Sequence, residues 1–368
     1  IPEVLEQYDP QTFYWPASPS SGGSMDNPND PNRGDVHYWE VWGGQKPFVE
    51  YRKYFFRYAS EFGFQAYPAV KTIETFTDDP EDMNPFSYIM EKHERHATGS
   101  GTFMVYIQRS YKCPTSFPVF VYTTQLLQAD AIRYGVEHYR RNRGRCMGAV
   151  YWQLNDCWPV ISWSSVDYCG RMKALQYYAR RFFAPILLSC EEQGMMTAKV
   201  NVNRQHSEFE KSIRLNVANE TVEDTDVIVR WALRDSKAKI LESGEEVLTV
   251  PALTSLWLEK IEFPDADAFT QYVSYELIRE GEVISEGSAS FSYPKYFKYE
   301  DPCLSCRVEG DTLVVSAKAY AKSVEVQNKN EDLVLSDNYF DLNAGEKRIK
   351  VIAGRTEDLR LRSVYEIK

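Results

Sequence analysis

Apolar residues in the first half of the chain recur mainly at helical spacing, interrupted by short apolar runs. The strongest helical pattern covers residues 118–143, where positions three or four apart place on one face Thr123, Leu127, Ala131, Tyr134 and His138. Cationic residues and Gly144 close this segment, as is usual at the C-termini of helices. A continuous apolar run at 147–152 predicts a strand buried on both faces, and a second helix is predicted over 173–183.

After Pro185 the period of the apolar pattern changes to two. Alternation over 196–202, 227–233 and 273–277 predicts strands with one buried face. A segment rich in aromatic residues and proline at 291–303 predicts a linker. Shorter apolar runs follow it, at 313–317, 324–327 and 348–352. Turn residues between such runs are typical of β-sandwiches.

The alternation of strands and helices before residue 185 predicts βα units and a parallel sheet. Only about four such units fit, which is half of an eight-fold barrel. The predicted fold class is therefore α/β plus all-β, with half of a (β/α)8 TIM barrel followed by two modules of β-strands. We place the barrel part at 1–185, the first sandwich at 186–292 and the second at 293–368.

Composition narrows the range of partners. The net charge of −11 argues against nucleic acid, because an acidic chain repels phosphate backbones. No apolar run reaches the ~20 residues that span a bilayer, so we expect no membrane. Seven scattered cysteines favour free thiols and a cytoplasmic location, with a lysosomal or secreted location as the alternative. The lone CxxC at 303–306 lacks a second pair of ligands, so we expect no metal.

The stretch SEFGFQ (60–65) places a carboxylate, Glu61, inside an apolar run. Such a charge requires either compensating partners or a functional role, since burying an unpaired charge is costly. Glu61 comes just before Gly63 near a predicted strand end, and the C-terminal ends of strands carry the active site in (β/α) barrels. The alternative is a structural ion pair with Arg52 or Arg57.

Two other predicted strand ends combine aromatic rings with hydrogen-bonding groups, namely GDVHYW (34–39) and YWQLNDCWP (151–159). A sugar needs an aromatic face for its C–H surface and polar groups for its hydroxyls. Core packing is the alternative for each tryptophan taken singly. The joint pattern at three strand ends favours a carbohydrate site.

Four motifs occur in the order YWPASPSS (14–21), GDVHYW, SEFGFQ and YWQLND (151–156). Together they resemble the β-mannosidases of glycoside hydrolase family 2, most strongly over residues 1–185. The resemblance implies that the motifs end barrel strands five to eight. The fold would then be the C-terminal half of a (β/α)8 TIM barrel followed by two immunoglobulin-like β-sandwich domains. It implies Glu61 as the catalytic nucleophile and Tyr38 as its hydrogen-bond partner. The implied substrate-binding residues are His37, Trp39, Trp42, Trp152 and Asn155.

By the same resemblance, the substrate is a terminal β-mannoside or a manno-oligosaccharide, the mechanism is retaining, and no cofactor is needed. The family's acid/base is a glutamate after an asparagine on strand four, whereas the Asn-Glu pairs of this chain, 219–220 and 330–331, fall in the β region. We therefore expect the acid/base, the N-terminal barrel half and further β domains to lie upstream of Ile1, to contact this chain, and to be required for activity. The alternatives are another family 2 exo-glycosidase, such as an exo-β-glucosaminidase or β-galactosidase, and a carbohydrate-binding protein without catalysis.

Overall fold

The computed structural model describes residues 1–23, 26–199 and 208–368. Its first part contains a parallel sheet with the strand order β1-β2-β3, made of β1 (Val36–His37), β2 (Ala59–Gly63) and β3 (Ala149–Trp152). The helices of this part are α1 (Pro2–Tyr8), α2 (Val70–Ile73), α3 (Tyr88–His93), α4 (Gly99–Ser110), α5 (Phe117–Arg141) and α6 (Ala174–Phe182). Short 3₁₀ helices lie at Phe48–Lys53, Pro80–Asp82 and Val364–Glu366.

Helix α5 supports the sheet and agrees with the prediction for 118–143 to within two residues at each end. Most of its residues are buried, because neighbouring elements cover it on several sides. Gly135 allows the helix to approach β2 closely, since a Cβ at this position would lie 3.0 Å from the Phe62 ring. The packing of α5 on Phe62 therefore helps to fix β2, the strand that carries Glu61.

Strand β3 differs from the prediction of a strand buried on both faces. Val150 is 48% exposed and Trp152 is 45% exposed, whereas Ala149 and Tyr151 are half-buried. The physical reason is that β3 pairs only with β2 in the described sheet, so that it is an edge strand with an uncovered apolar face. The continuous apolar run correctly identified a strand but not its environment.

Two β-sandwiches follow the parallel sheet. The first consists of a sheet with the order β10-β9-β6-β7 and a sheet with the order β4-β5-β8. Its strands are β4 (Ile186–Gln193), β5 (Ser212–Asn219), β6 (Thr225–Asp235), β7 (Ile240–Val250), β8 (Thr254–Glu262), β9 (Gln271–Arg279) and β10 (Glu282–Ser290). All of its strand pairs are antiparallel.

The second sandwich consists of a sheet with the order β11-β12-β16-β14 and a sheet with the order β15-β13-β17. Its strands are β11 (Ser305–Glu309), β12 (Thr312–Ala317), β13 (Ala321–Gln327), β14 (Val334–Leu335), β15 (Phe340–Leu342), β16 (Gly345–Ala353) and β17 (Arg360–Arg362). Its core residues and those around the parallel sheet form one continuous hydrophobic cluster, while the first sandwich has a cluster of its own.

The alternating pattern predicted β6 and β9 well, because Val227 and Val229 on β6 and Leu277 on β9 point into the sandwich core. The predicted strand at 196–202 is wrong at its start. Met196 lies in a turn that is closed by hydrogen bonds from the N–H groups of residues 197 and 198 to the Gly194 carbonyl oxygen. Val200 and Val202, which completed that pattern, lie outside the described residues.

Although α5 is 25 residues long, neither it nor any other helix in the described ranges has the apolar stretch needed to cross a membrane.

A buried ion pair joins the first part of the chain to the first sandwich. Arg52 donates to a carboxylate oxygen of Glu192 at 2.7 Å and to its backbone carbonyl at 2.8 Å, and the Tyr134 hydroxyl also donates to this carboxylate. Burial alone would raise the pKa of Glu192, but Arg52 and Tyr134 hold it below its usual value. Both charged side chains are nearly inaccessible to solvent, so each depends on the other for compensation.

We expect Glu192→Gln to lower the free energy of unfolding by about 3–5 kcal/mol, because it leaves the Arg52 guanidinium buried without a counter-charge. The double variant Arg52→Met/Glu192→Gln should recover part of this loss. Chemical denaturation at neutral pH measures both effects. The control is Glu245→Gln, which breaks the exposed pair with Arg230 and should change stability by less than about 1 kcal/mol.

Lowering the pH should remove the contribution of the Arg52–Glu192 pair to the free energy of unfolding of the unchanged protein. The pKa of Glu192 is lower in the folded state than in the unfolded state. The ion pair therefore contributes its full stabilisation at pH values above the unfolded-state pKa, and this stabilisation is lost as the pH falls through the folded-state pKa. A loss from Glu192→Gln no larger than that from Glu245→Gln would show that the pair does not hold this junction.

Candidate active site

Glu61 lies on β2 with its carboxylate at a partly open surface. The Trp39 indole N–H donates to Glu61 Oε1 at 2.9 Å, and Nδ1 of His37 lies 3.6 Å from Oε2. The side chain of Glu61 is 22% exposed. Arg52, one of the two arginines considered as an ion-pair partner of Glu61, binds Glu192 instead. Within the described ranges no arginine or lysine pairs with Glu61, so the structural ion pair is excluded there.

The two residues that flank Tyr38 are the ones that reach Glu61. His37, the last residue of β1, and Trp39 both approach the carboxylate, while the Tyr38 side chain between them is buried in the core. The Tyr38 ring is buried against the stacked rings of Tyr54 and Phe56, with centroid distances of 5.3 and 5.2 Å. Burial raises its pKa well above the ordinary value for tyrosine.

The predicted hydrogen bond from Tyr38 to Glu61 is therefore corrected. The Tyr38 hydroxyl has no hydrogen-bond partner among the described residues, whereas the Trp39 indole makes the bond that was expected of Tyr38. The expectation that Trp42 binds the substrate is also corrected. It is 1% exposed and packs edge-on against Phe64 in the core, so that it cannot contact a bound sugar.

Gly63 explains why a glycine follows the carboxylate so closely in SEFGFQ. A Cβ at this position would lie 2.4 Å from the carbonyl oxygen of Trp152 and 2.8 Å from the ring of Trp39. The absent side chain leaves room for the Trp39 indole to cross β2 and reach Glu61. Gly63 also pairs with Trp152 in the sheet register, which places the exposed Trp152 ring on the neighbouring strand.

The loop after β3 carries further polar and aromatic groups. The Gln153 side chain donates to the Asn155 carbonyl oxygen at 2.9 Å and to Asp156 at 3.1 Å. The Asn155 residue itself is exposed. Trp163, which the sequence analysis did not single out, packs edge-on against Trp39 at a centroid distance of 5.9 Å. The contact with Trp163 packs the Trp39 ring against the loop after β3.

A second carboxylate, Asp35, was missed by the sequence analysis although it stands in the GDVHYW motif. It is buried and accepts hydrogen bonds from the Trp15 indole at 3.0 Å, the Ser20 backbone N–H at 2.9 Å, the Ser18 hydroxyl at 2.6 Å and the Ser60 hydroxyl. Burial alone would raise the pKa of Asp35, but these bonds lower it below the ordinary value. Asp35 therefore joins three of the four sequence motifs.

A cleft elsewhere in the described part of the chain contains none of the motif residues. It has a volume of about 850 Å³ and lies between α6 and the two sandwiches. Its charged side chains include pairs such as Arg181 with Asp337 and Lys347 with Glu286. We therefore place the candidate active site at Glu61. Among the described residues, no group of three or more His, Cys, Asp or Glu side chains is arranged to hold a metal ion.

Comparisons with known proteins agree with the motifs. A family model described as a mannosidase Ig/CBM-like domain matches residues 211–296, and one described as an Ig-fold domain matches 300–367. The chain is 29% identical to β-mannosidase B of Aspergillus terreus, over 97% of this chain and 43% of the relative. It therefore spans less than half the length of that curated relative.

Solved structures give the same result. The β-D-mannosidase of Dictyoglomus thermophilum is 27% identical with a TM-score of 0.85, over 98% of this chain and 44% of that one. An exo-chitosanase of Amycolatopsis orientalis has a TM-score of 0.64 at 16% identity, over 83% of this chain and 42% of that one. The second likeness shows the fold alone. The resemblance that the motifs carry, to the C-terminal portion of family 2 β-mannosidases, is confirmed.

We expect Gly63→Ala to lower the free energy of unfolding by about 1–3 kcal/mol, because the added methyl overlaps the Trp152 carbonyl and the Trp39 ring. Chemical denaturation measures the loss, and a changed tryptophan emission reports displacement of the indole. Gly101→Ala is the matched control, since its Cβ enters open space on α4 and should stabilise the helix by up to about 1 kcal/mol. Equal effects of the two substitutions would contradict the close approach at Gly63.

Proposed function

The chain resembles the C-terminal portion of the glycoside hydrolase family 2 β-mannosidases along almost its whole length, and we propose that the whole protein hydrolyses terminal β-D-mannosyl residues with retention of configuration. Because the chain spans 43% of its curated relative, the activity is proposed for the whole protein and not for this chain alone. In this proposal Glu61 is the nucleophile, the Trp39 indole holds its carboxylate, and His37 faces the other oxygen.

The contacts of Glu61 are the observation that carries the proposal. A carboxylate that attacks carbon must stay ionised, be aimed, and keep a lone pair free. The Trp39 N–H donates to one oxygen, and the other oxygen faces His37 at a distance too long for a strong hydrogen bond. A carboxylate paired with an arginine would instead have both oxygens occupied. Glu61 therefore has the partners of a positioned nucleophile.

The reaction follows from this arrangement. An oxygen of Glu61 attacks the anomeric carbon of the mannosyl residue while the bond to the leaving oxygen breaks, which gives a glycosyl ester. A second carboxyl group donates a proton to the leaving oxygen and then takes one from water, which hydrolyses the ester and restores Glu61. In retaining enzymes the two carboxyl groups lie about 5 Å apart. We propose that this acid/base belongs to the part of the whole protein outside the chain.

The parallel sheet fits part of a larger barrel. We propose that β1, β2 and β3 are the sixth, seventh and eighth strands of a (β/α)8 barrel, and that the YWPASPSS segment follows the fifth. The free edge of β3 supports this proposal, because a further strand can pair there, and closure of the barrel would also cover the exposed Val150 side chain. The exposed Trp152 ring and the Asn155 side chain would then line the sugar subsite next to Glu61.

We expect Glu61→Gln to lower kcat of the whole protein on an aryl β-mannoside by more than about 1,000-fold, because the amide cannot form the ester. The folded state should be retained, as circular dichroism would show. Glu74→Gln, which removes an exposed carboxylate paired with Lys71, is the matched control and should leave kcat unchanged. Undiminished turnover by Glu61→Gln would exclude Glu61 as the nucleophile.

Substrate choice is tested in the same assay with aryl β-mannoside, β-glucosaminide and β-galactoside. The proposal predicts the largest kcat/KM for the mannoside. A larger value for the glucosaminide would favour the activity named for the exo-chitosanase neighbour and would overturn the substrate proposed here.

A further inference from the structure

A series of polar contacts leads from Glu61 into the protein. Nδ1 of His37 faces Glu61 Oε2 at 3.6 Å, and the other ring nitrogen, Nε2, lies 2.9 Å from the Ser18 hydroxyl. Ser18 in turn lies 2.6 Å from Asp35 Oδ2. The four residues come from three separate motifs. The contacts at Ser18 are within hydrogen-bond distance, whereas the contact between His37 and Glu61 is longer.

The direction of the hydrogen bonds follows from counting donors at Asp35. Its carboxylate is an acceptor only, and the hydrogen bonds it receives hold its pKa below the ordinary value for aspartate. At 2.6 Å the contact with Ser18 requires a hydrogen between the two oxygens, and only Ser18 has one to give. If Ser18 turned its hydrogen toward His37, two oxygen lone pairs would face each other at this distance.

The proton on His37 is then determined. The hydroxyl hydrogen of Ser18 is committed to Asp35, so that Ser18 can only accept at its contact with His37. The ring must donate there, which places a hydrogen on Nε2. The backbone N–H of His37 donates to the Asn29 side chain at 2.9 Å and fixes the main chain below the ring. The nitrogen left facing Glu61 is Nδ1.

We propose that Asp35 and Ser18 are positioning residues that fix a proton on Nε2 of His37 and thereby hold Nδ1 towards the Glu61 carboxylate. Nδ1 faces the carboxylate whose charge is consumed when the glycosyl ester forms and is restored when the ester is hydrolysed. The role in catalysis rests on the proposed function. The position of the proton does not.

The hydrogen bond also restricts the orientation of the ring. Rotation of the imidazole about its bond to Cβ would break the contact with Ser18 and move Nδ1 away from Glu61. The Ser60 hydroxyl, which comes from the residue before Glu61, donates to the same Asp35 oxygen and lies 3.3 Å from Ser18. Asp35 thus ties the His37 ring to the strand that carries the nucleophile.

The position of the proton is tested by nuclear magnetic resonance on the protein labelled with ¹⁵N at histidine, with His37 signals identified by their loss in His37→Gln. We expect a ring N–H at Nε2 that exchanges slowly with water. This signal should disappear in Ser18→Ala and persist in Ser18→Thr, which keeps the hydroxyl. A hydrogen on Nδ1 with none on Nε2, or an Nε2 signal that is unchanged in Ser18→Ala, would overturn the proposal.

The positioning role is tested by kinetics of the whole protein on an aryl β-mannoside. Ser18→Ala and Asp35→Asn should lower kcat by about 10- to 100-fold, with KM nearly unchanged, because a displaced carboxylate slows the attack more than binding. Ser18→Thr should restore most of the loss. Thr12→Ala removes an exposed hydroxyl from the same segment and should leave kcat unchanged. A kcat in Ser18→Ala equal to that of the unchanged protein would overturn the role.

The two experiments separate this inference from the proposed function. If the unchanged protein does not hydrolyse β-mannosides, the proposed function fails, while the ¹⁵N signal of His37 still decides where the proton lies. If the protein is active and the Nε2 hydrogen is absent, the proposed function stands and the inference fails.

Discussion

The hydrogen bond from the Trp39 indole to Glu61 depends on a close approach of three strands, and the rest of the candidate site depends on that bond. The indole reaches the carboxylate only because Gly63 has no side chain between Trp39 and the backbone of Trp152. The bond uses a neutral donor, so that Glu61 is oriented without being neutralised by a cation. A carboxylate held in this way is suited to nucleophilic attack.

The surrounding structure serves to keep these strands in place. Helix α5 packs on β2 through Phe62, and one continuous apolar core extends from the parallel sheet into the second sandwich. The buried pair of Arg52 and Glu192 fixes the first sandwich to the same part of the chain. The sandwiches are therefore part of the scaffold of the site, although the contacts of Glu61 within the described ranges all come from the first part of the chain.

The elements that could be predicted from sequence are those whose pattern is local. The period of α5 and the alternation in β6 and β9 are both visible within about a dozen residues, and the motif SEFGFQ correctly placed Glu61 on a strand. Strand β1 is only two residues long, too short for its pattern to show which side chain faces Glu61. The family resemblance implies Tyr38 as the partner of Glu61, whereas the structure gives that contact to Trp39. The buried environment of Trp42 and the network around Asp35 depend on residues far apart in sequence, and no local pattern reports them.

The most direct test is covalent trapping of the whole protein with an activated 2-deoxy-2-fluoro-β-mannoside, whose fluorine slows both formation and hydrolysis of the glycosyl ester while its activated leaving group keeps formation fast. Peptide mass mapping then locates the attached sugar. The account predicts one equivalent of fluoromannosyl group on the peptide that contains Glu61, with loss of activity in proportion to labelling. A label on any other carboxylate, or turnover of β-mannosides without a trapped ester, would contradict it.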